Sequence, residues 1–316
     1  MIHIHGISLK NVPQIDVALR SEKPFVLTLH ALSIPGSNDD FSLSTSVSKM
    51  KIRLLEYLNR KNIRISVVGS KMKENLCRYA DIKNQNMIEV IPHGVDLSRF
   101  SLNRSKNSLR EKYGIDESKT VFLSAGSLQK RKNYSIAIKA INKLPSEIQN
   151  NILYLIAGEG EEEENLKRLI QNNNMDEQIK LLGYIPADDI VEYFKLADGI
   201  ILCSKSEGCS RPMLEGYASG TPIIIFEDLE GMEDLYNPEA MQLIENRTVE
   251  DFADAISKFI EKDWDEETIK NYAENFSWDK SVEKYEKLYE KAIKDNRKSK
   301  NEESLVQKMI NDDLNL

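Results

Sequence analysis

Histidine and cysteine are both scarce in this chain of 316 residues. The three cysteines, Cys77, Cys203 and Cys209, lack metal-type spacing and read as reduced thiols of a cytosolic protein. All four histidines (His3, His5, His30 and His93) fall within about the first hundred residues, so no Cys/His zinc site is expected. No apolar run reaches the roughly 18 residues that a transmembrane helix requires. The opening MIHIHGISLK also lacks the charged-then-apolar order of a signal peptide. Positive charge is in deficit, with a formal net charge of −8, which argues against general nucleic-acid binding. Neither a full G-x-G-x-x-G fingerprint nor a P-loop lysine motif occurs, so dehydrogenase and kinase readings have little support. What is present, 41% hydrophobic and 30% charged residues, is the composition of a soluble globular protein long enough for two domains.

Strand-like runs alternate with helical patterns along almost the whole chain, the signature of α/β architecture with parallel sheets. Strands are expected at Ile2–His5, Phe25–Leu29, Ile65–Val68 and Ile88–Ile91. A second series is expected at Val121–Ala125, Leu153–Ala157, Ile179–Leu182, Gly199–Cys203 and Pro222–Phe226. Between the two series, residues 101–119 are polar and read as an interdomain linker with a short helix. Lys49–Arg64 is a basic amphipathic stretch with Ile52, Leu55 and Leu58 on one face. It reads either as a helix packed on the sheet or as a surface for anionic membrane.

Residues 207–222, EGCSRPMLEGYASGTP, are the most informative stretch. Glu207 and Glu215 are separated by seven residues, with a small-residue turn and Pro212 between them. Pro212 suits the first turn of a helix, and Gly220-Thr221-Pro222 stops it. The unit is strand, loop, helix, strand. It puts Glu207 in the loop at a strand's carboxyl end and Glu215 about a turn into the helix. Ligands of open α/β sheets bind at that edge, and a helix N-terminus there favours an anion.

This pattern resembles the donor site of retaining GT-B glycosyltransferases, specifically the large family 4 with its E-x7-E motif. IPHGVDLSRF (91–100), VFLSAGSLQKRKN (121–133), LYLIAGEG (153–160), IKLLGYIPADDIVEYFKLAD (179–198) and NFSWDKSVEKYEKLY (275–289) fall in the family's order and spacing. The resemblance runs from about residue 3 to 293. It implies two Rossmann-like domains with a cleft between them. On this reading residues 1–100 form a partial N-terminal, acceptor-side domain and 120–274 the nucleotide-sugar-binding domain. Residues 275–293 form a helix that crosses back to the first domain, and 294–316 a polar tail in which Leu305, Met309 and Ile310 could form a weak amphipathic turn. The family's first domain has two or so further βα units ahead of Ile2. A truncated reading frame, a fragment, or a partner chain supplying the missing half are open explanations.

The resemblance also assigns roles. Glu207 would hold hydroxyls of the donor sugar, against a bland reading as a helix-capping acid. Glu215 would accept both ribose hydroxyls, which suits a carboxylate's several lone pairs; otherwise it is an exposed helix charge. Cys209, Ser210 and Arg211 occupy the turn whose N–H groups face the diphosphate, with Ser210 where the family usually has glycine. Lys132 matches a family lysine that neutralises the diphosphate, while Ser127, next to Gly126, stands where the family has arginine. Lys130 or Arg131 would have to replace that cation, since fixed charge at the leaving group stabilises the transition state. His30 matches a histidine near the donor sugar. Gly183, Tyr184 and Ile185 follow the strand beneath the nucleobase. His93 stands where asparagine is common and reads as structural.

The implied activity moves a sugar from a nucleoside-diphosphate sugar to a glycan or glycolipid in surface polysaccharide biosynthesis, with no metal or cofactor. The location would be cytoplasmic, peripheral at the inner face of the membrane. The rival is an inactive or partner-dependent nucleotide-sugar-binding subunit.

Overall fold

A computed structural model describes residues 1–8, 10–21, 23–30 and 45–296; the polar tail beyond lies outside the described residues. The chain divides into two compact units, one comprising Met1–Pro92 with the segment from Asp279, the other His93–Trp278. Both are α/β with parallel sheets, as the alternating pattern predicts.

The first unit contains strands β1 (Ile2–His5), β2 (Phe25–Leu29), β3 (Arg64–Val67) and β4 (Ile88–Val90), all parallel and adjacent in chain order. The helix Trp278–Asp295 supplies residues to this unit. Its Leu288 and Ala292 pack on Val26 and Ile91, and Asp295 pairs with Arg64 at 2.6 Å. The helix Thr45–Arg60 turns Leu54, Leu55 and Leu58 fully inward. Leu55 and Leu58 of the expected stripe therefore belong to the core while Ile52 is half-buried, and the packed-helix reading holds as far as Arg60, with Arg64 already in β3. A membrane contact through that stripe does not hold.

The second unit holds β5 (Thr120–Ala125), β6 (Ile152–Ala157), β7 (Ile179–Gly183), β8 (Gly199–Leu202), β9 (Ile223–Phe226) and β10 (Met241–Ile244). The sixth strand, MQLI, was not among the expected ones; it is only four residues long, and Gln242 interrupts its apolar run, although Asn237-Pro238 marks a turn just before it. The sheet is parallel throughout in the order β10-β9-β8-β5-β6-β7. This is the doubly wound order. The chain builds outward from β5 through β6 and β7, then returns to place β8 on the other side of β5. Consecutive residues of each central strand enter opposite cores. Leu123, Ile200 and Ile225 pack on one face, and Phe122, Ile201 and Ile224 on the other. Burial on both faces explains why these strands read as continuous apolar runs rather than alternating ones. Truncating one such side chain, Ile201→Ala for example, would cost about 2–5 kcal/mol.

Residues 101–119 lie inside this unit. Their helix Lys106–Lys112 carries Arg110, buried at 4% exposure. Its guanidinium donates to Leu196 O at 3.1 Å and Lys119 O at 3.2 Å, and meets Asp198 at 2.5 Å. A buried charge tolerates that position because every contact is a hydrogen bond. The segment is thereby fastened to the second sheet.

Candidate active site

A doubly wound sheet opens a crevice where its strand order reverses, outside the carboxyl ends of the two strands at the reversal. Here those strands are β5 and β8. The loop after β5 carries Gly126 to Asn133, and the loop after β8 carries Cys203 to Ser210, so the topology delivers both motifs to one point.

The two loops are joined there. Lys132 Nζ donates to Glu207 Oε1 at 2.5 Å, with both side chains about nine-tenths buried. Ser204 Oγ, itself buried, donates to the same oxygen at 2.6 Å. Arg131 Nη1 lies 3.5 Å from Glu207 Oε2 and donates to Ser206 O at 3.3 Å. The Lys205 N–H donates to Arg131 O at 2.9 Å, closing the connection through the backbone. Lys132 ends a short 3-10 turn, Lys130–Lys132, which Asn133 terminates in the left-handed conformation at φ 52° before the helix Tyr134–Lys143 begins. Asparagine tolerates that conformation better than most residues. Beneath the pair lies Tyr134, whose phenol is pushed upward in pKa by burial and remains a neutral hydroxyl.

Glycine permits two close approaches behind this arrangement. At Gly158, φ is +142° and an added Cβ would sit 2.0 Å from Gly126 O, so the β6 end can press against the β5 loop. Gly231, at φ +88°, would put a Cβ 2.4 Å from Glu207 O. The loop after β9 can therefore buttress the Glu207 loop, whose N–H donates to Glu230 O at 3.3 Å.

The helix Arg211–Ser219 begins directly after this loop, with Ser210 as its N-cap and Pro212 in its first turn. Ser210 Oγ is buried and has no hydrogen-bond partner among the described residues. A buried hydroxyl left unpaired costs about 1–3 kcal/mol. Its position at a helix N-terminus of positive dipole marks where an anion would satisfy it. Cys209 is partly buried beside it, and burial first, then Asp234 and Glu207, pushes its thiol up to about 11 against a backbone hydrogen bond from His93. This thiol stays protonated. Arg211 is exposed.

Glu215 sits one turn into the helix, flanked by the fully buried Leu214 and Tyr217. Burial raises its pKa, and the charges of Arg211 and Arg99 oppose that rise. Its carboxylate makes no hydrogen bond or ion pair among the described residues. Arg99 is a participant that sequence reasoning missed. It donates to Ala187 O and lies 3.8 Å from Asp188, at the start of the helix Ala187–Leu196. Ser204 and Gly231 were missed as well. A serine three residues before an acidic motif residue is the one local signal available for the former. Across the sheet, Gly158 N–H donates to Gly183 O at 2.7 Å, leaving Tyr184 69% exposed and Ile185 half-buried just beyond β7. Ser127 is exposed, with no cation in its place.

His30 belongs to the first unit. Its Nε2 lies 2.9 Å from His5 Nδ1, and the two rings stack at 5.1 Å. Burial and then the charge of His5 lower its pKa, so it is a neutral imidazole near pH 7. His3 is lowered to about 4, by burial first, and bridges Tyr289 at 2.8 Å and Thr28 at 2.6 Å. Among the described residues no three His, Cys, Asp or Glu side chains are arranged to hold a metal ion.

The profile of the family described as glycosyl transferases group 1 matches residues 105–276. The chain belongs to that family. Membership places it among enzymes that transfer glycosyl groups. A relative in Methanocaldococcus jannaschii, an uncharacterized glycosyltransferase, is 23% identical over 304 residues, covering 93% of this chain and 74% of the relative. The Escherichia coli UDP-Gal:alpha-D-GlcNAc-diphosphoundecaprenol alpha-1,3-galactosyltransferase is 33% identical over 144 residues, 44% of this chain and 36% of that protein. Of several other curated relatives the chain spans about half the length. The solved structure of HepE from Anabaena in complex with UDP superposes with a TM-score of 0.75 at 18% identity, covering 92% of this chain and 78% of that one. That likeness establishes the shared GT-B fold. Among the described residues no helix is long and apolar enough to cross a membrane.

Proposed function

We propose that this chain moves a sugar from a nucleoside-diphosphate sugar to a glycan or glycolipid acceptor with retention of anomeric configuration. The observation that carries the reading is the meeting of Lys132 and Arg131 with Glu207 at the switch point, ahead of a helix N-terminus with an unpaired buried hydroxyl. Cations and N–H dipoles held there offset the charge that builds on a departing diphosphate, and they are in place before reaction. Glu207 takes the donor-sugar hydroxyls and Glu215 the ribose hydroxyls. The backbone of 183–185 meets the base. His30 is assigned to the reacting sugar on family resemblance, as a neutral hydrogen-bonding group. The departing phosphate takes the acceptor proton on the same face, which retains configuration without a protein nucleophile.

A lipid-linked sugar acceptor is supported by the printed specificity of the Escherichia coli relative. Synthesis of surface polysaccharide at the inner membrane face follows from that acceptor. Arg53, Arg60 and Lys61 stay exposed as a basic edge toward anionic headgroups. The rival reading, a nucleotide-sugar-binding subunit without transfer activity, is favoured by the serine at 127.

Thermal stabilisation by UDP, GDP, ADP and their sugar conjugates tests the donor site. A shift with one nucleotide that is lost in Glu215→Ala establishes the site; no shift with any of them removes this reading. Transfer to a lipid-linked acceptor, with the product anomer read by NMR, then separates enzyme from binding subunit.

A further inference from the structure

Residue 127 and Lys130 both stand on the loop after β5, yet neither side chain is held at Glu207. Ser127 is exposed and uncharged, and Lys130 is exposed, with no side-chain hydrogen bond or ion pair among the described residues. Arg131 differs from both. Its Nε donates to Gln129 Oε1 at 3.2 Å, and its Nη1 donates to Ser206 O and reaches Glu207 Oε2 at 3.5 Å. The guanidinium is thus held at the same carboxylate as Lys132, with about a third of its surface open. The two cations approach opposite oxygens of Glu207, Lys132 at Oε1 and Arg131 at Oε2. A planar guanidinium with parallel donors fits a phosphate in two-point contact, whereas an ammonium serves as a point charge.

We infer that Arg131 is the second diphosphate-binding cation of this chain and replaces a charge absent at position 127. In the empty site Glu207 holds both cations as their counter-ion. An incoming diphosphate takes them over and frees the carboxylate for sugar hydroxyls. Residues 131 and 132 then act from one turn of backbone, instead of from two positions five residues apart. The inference rests on the donor-site reading above and adds which side chain meets the phosphates.

The test compares Arg131→Gln, Arg131→Lys, Lys130→Gln and the double variant Ser127→Arg/Arg131→Gln. The probes are the nucleoside diphosphate that stabilises the wild type and the matching monophosphate. Loss of one charge-assisted contact predicts about 10- to 100-fold weaker diphosphate binding in Arg131→Gln. Monophosphate binding should change far less, Lys130→Gln should bind like wild type, and Ser127→Arg should restore much of the loss. Arg131→Lys reports the same effect, smaller, if the glutamine variant fails to fold. Unchanged diphosphate affinity in both Arg131 variants overturns the inference. So does an equal loss for monophosphate, a larger loss in Lys130→Gln, or absence of rescue. A wild type that binds no nucleoside diphosphate would instead sink the donor-site reading itself.

Discussion

Replacing Glu207 with glutamine should destabilise the free protein and make it more dependent on nucleotide. Lys132 Nζ sits 2.5 Å from the carboxylate, with side-chain exposures of 9% and 10% for the two partners. Removing one charge of a buried pair typically costs about 3–5 kcal/mol, because the other charge stays buried without compensation. Glutamine's oxygen can still accept from Lys132 and Ser204, so the lower end, about 3 kcal/mol, is expected. In a unit of this size each kcal/mol moves the melting temperature by about 2–4 °C, so the drop should be about 6–12 °C. A nucleoside diphosphate brings negative charge to the same lysine. It should therefore raise the melting temperature of the variant by more than that of the wild type. Sugar transfer should fall at the same time, since the hydroxyl-binding carboxylate is gone. Differential scanning fluorimetry with and without the diphosphate measures both effects. A variant that melts within about one degree of wild type, or that gains less from the nucleotide, would refute this account of the pair.

Glu215→Gln should weaken nucleotide binding by about tenfold or more through the lost charged contacts. It should also stabilise the empty protein at neutral pH. Because burial raises the Glu215 pKa, the folded state keeps the proton to higher pH than the unfolded chain. Stability therefore declines as pH rises above the usual 4.5. Urea titrations at pH 4 and pH 7 should show the variant's advantage only at the higher value. Gly158→Ala forces a Cβ to within 2.0 Å of Gly126 O. It should cost about 2–4 kcal/mol and weaken nucleotide binding together, read in one melting experiment with and without ligand. The pKa of His3 is depressed to about 4 from 6.5, so its contribution is complete above pH 6.5 and is lost as pH falls toward 4. Hydrogen exchange in the helix Trp278–Asp295, which His3 reaches through Tyr289, should accelerate over that range in the wild type, and much less in His3→Gln.

The sequence by itself determined the α/β class, nine of the ten strands found among the described residues to within a residue or two at each end, and the helix after Glu207. Those features are local. Apolar runs, Pro212 and the Gly220 stop act over a few residues, and a strand buried on both faces announces itself by composition. Sequence resemblance also singled out Glu207, Glu215 and Lys132. What it left open was contact. That Lys132 and Arg131 meet Glu207, 75 or so positions away, follows from the return of the chain from β7 to β8, and no local pattern encodes which strands become neighbours. Within one basic turn, Arg131 and Lys132 reach Glu207 and Lys130 does not, a difference that only the folded loops produce. The same stretch read as sequence offers three equivalent cations. The apolar stripe of 49–64 was likewise ambiguous between membrane and core until packing buried Leu55 and Leu58. Burial and unlike-charge pairing are properties of neighbours brought together by the fold, so tertiary structure alone decided them.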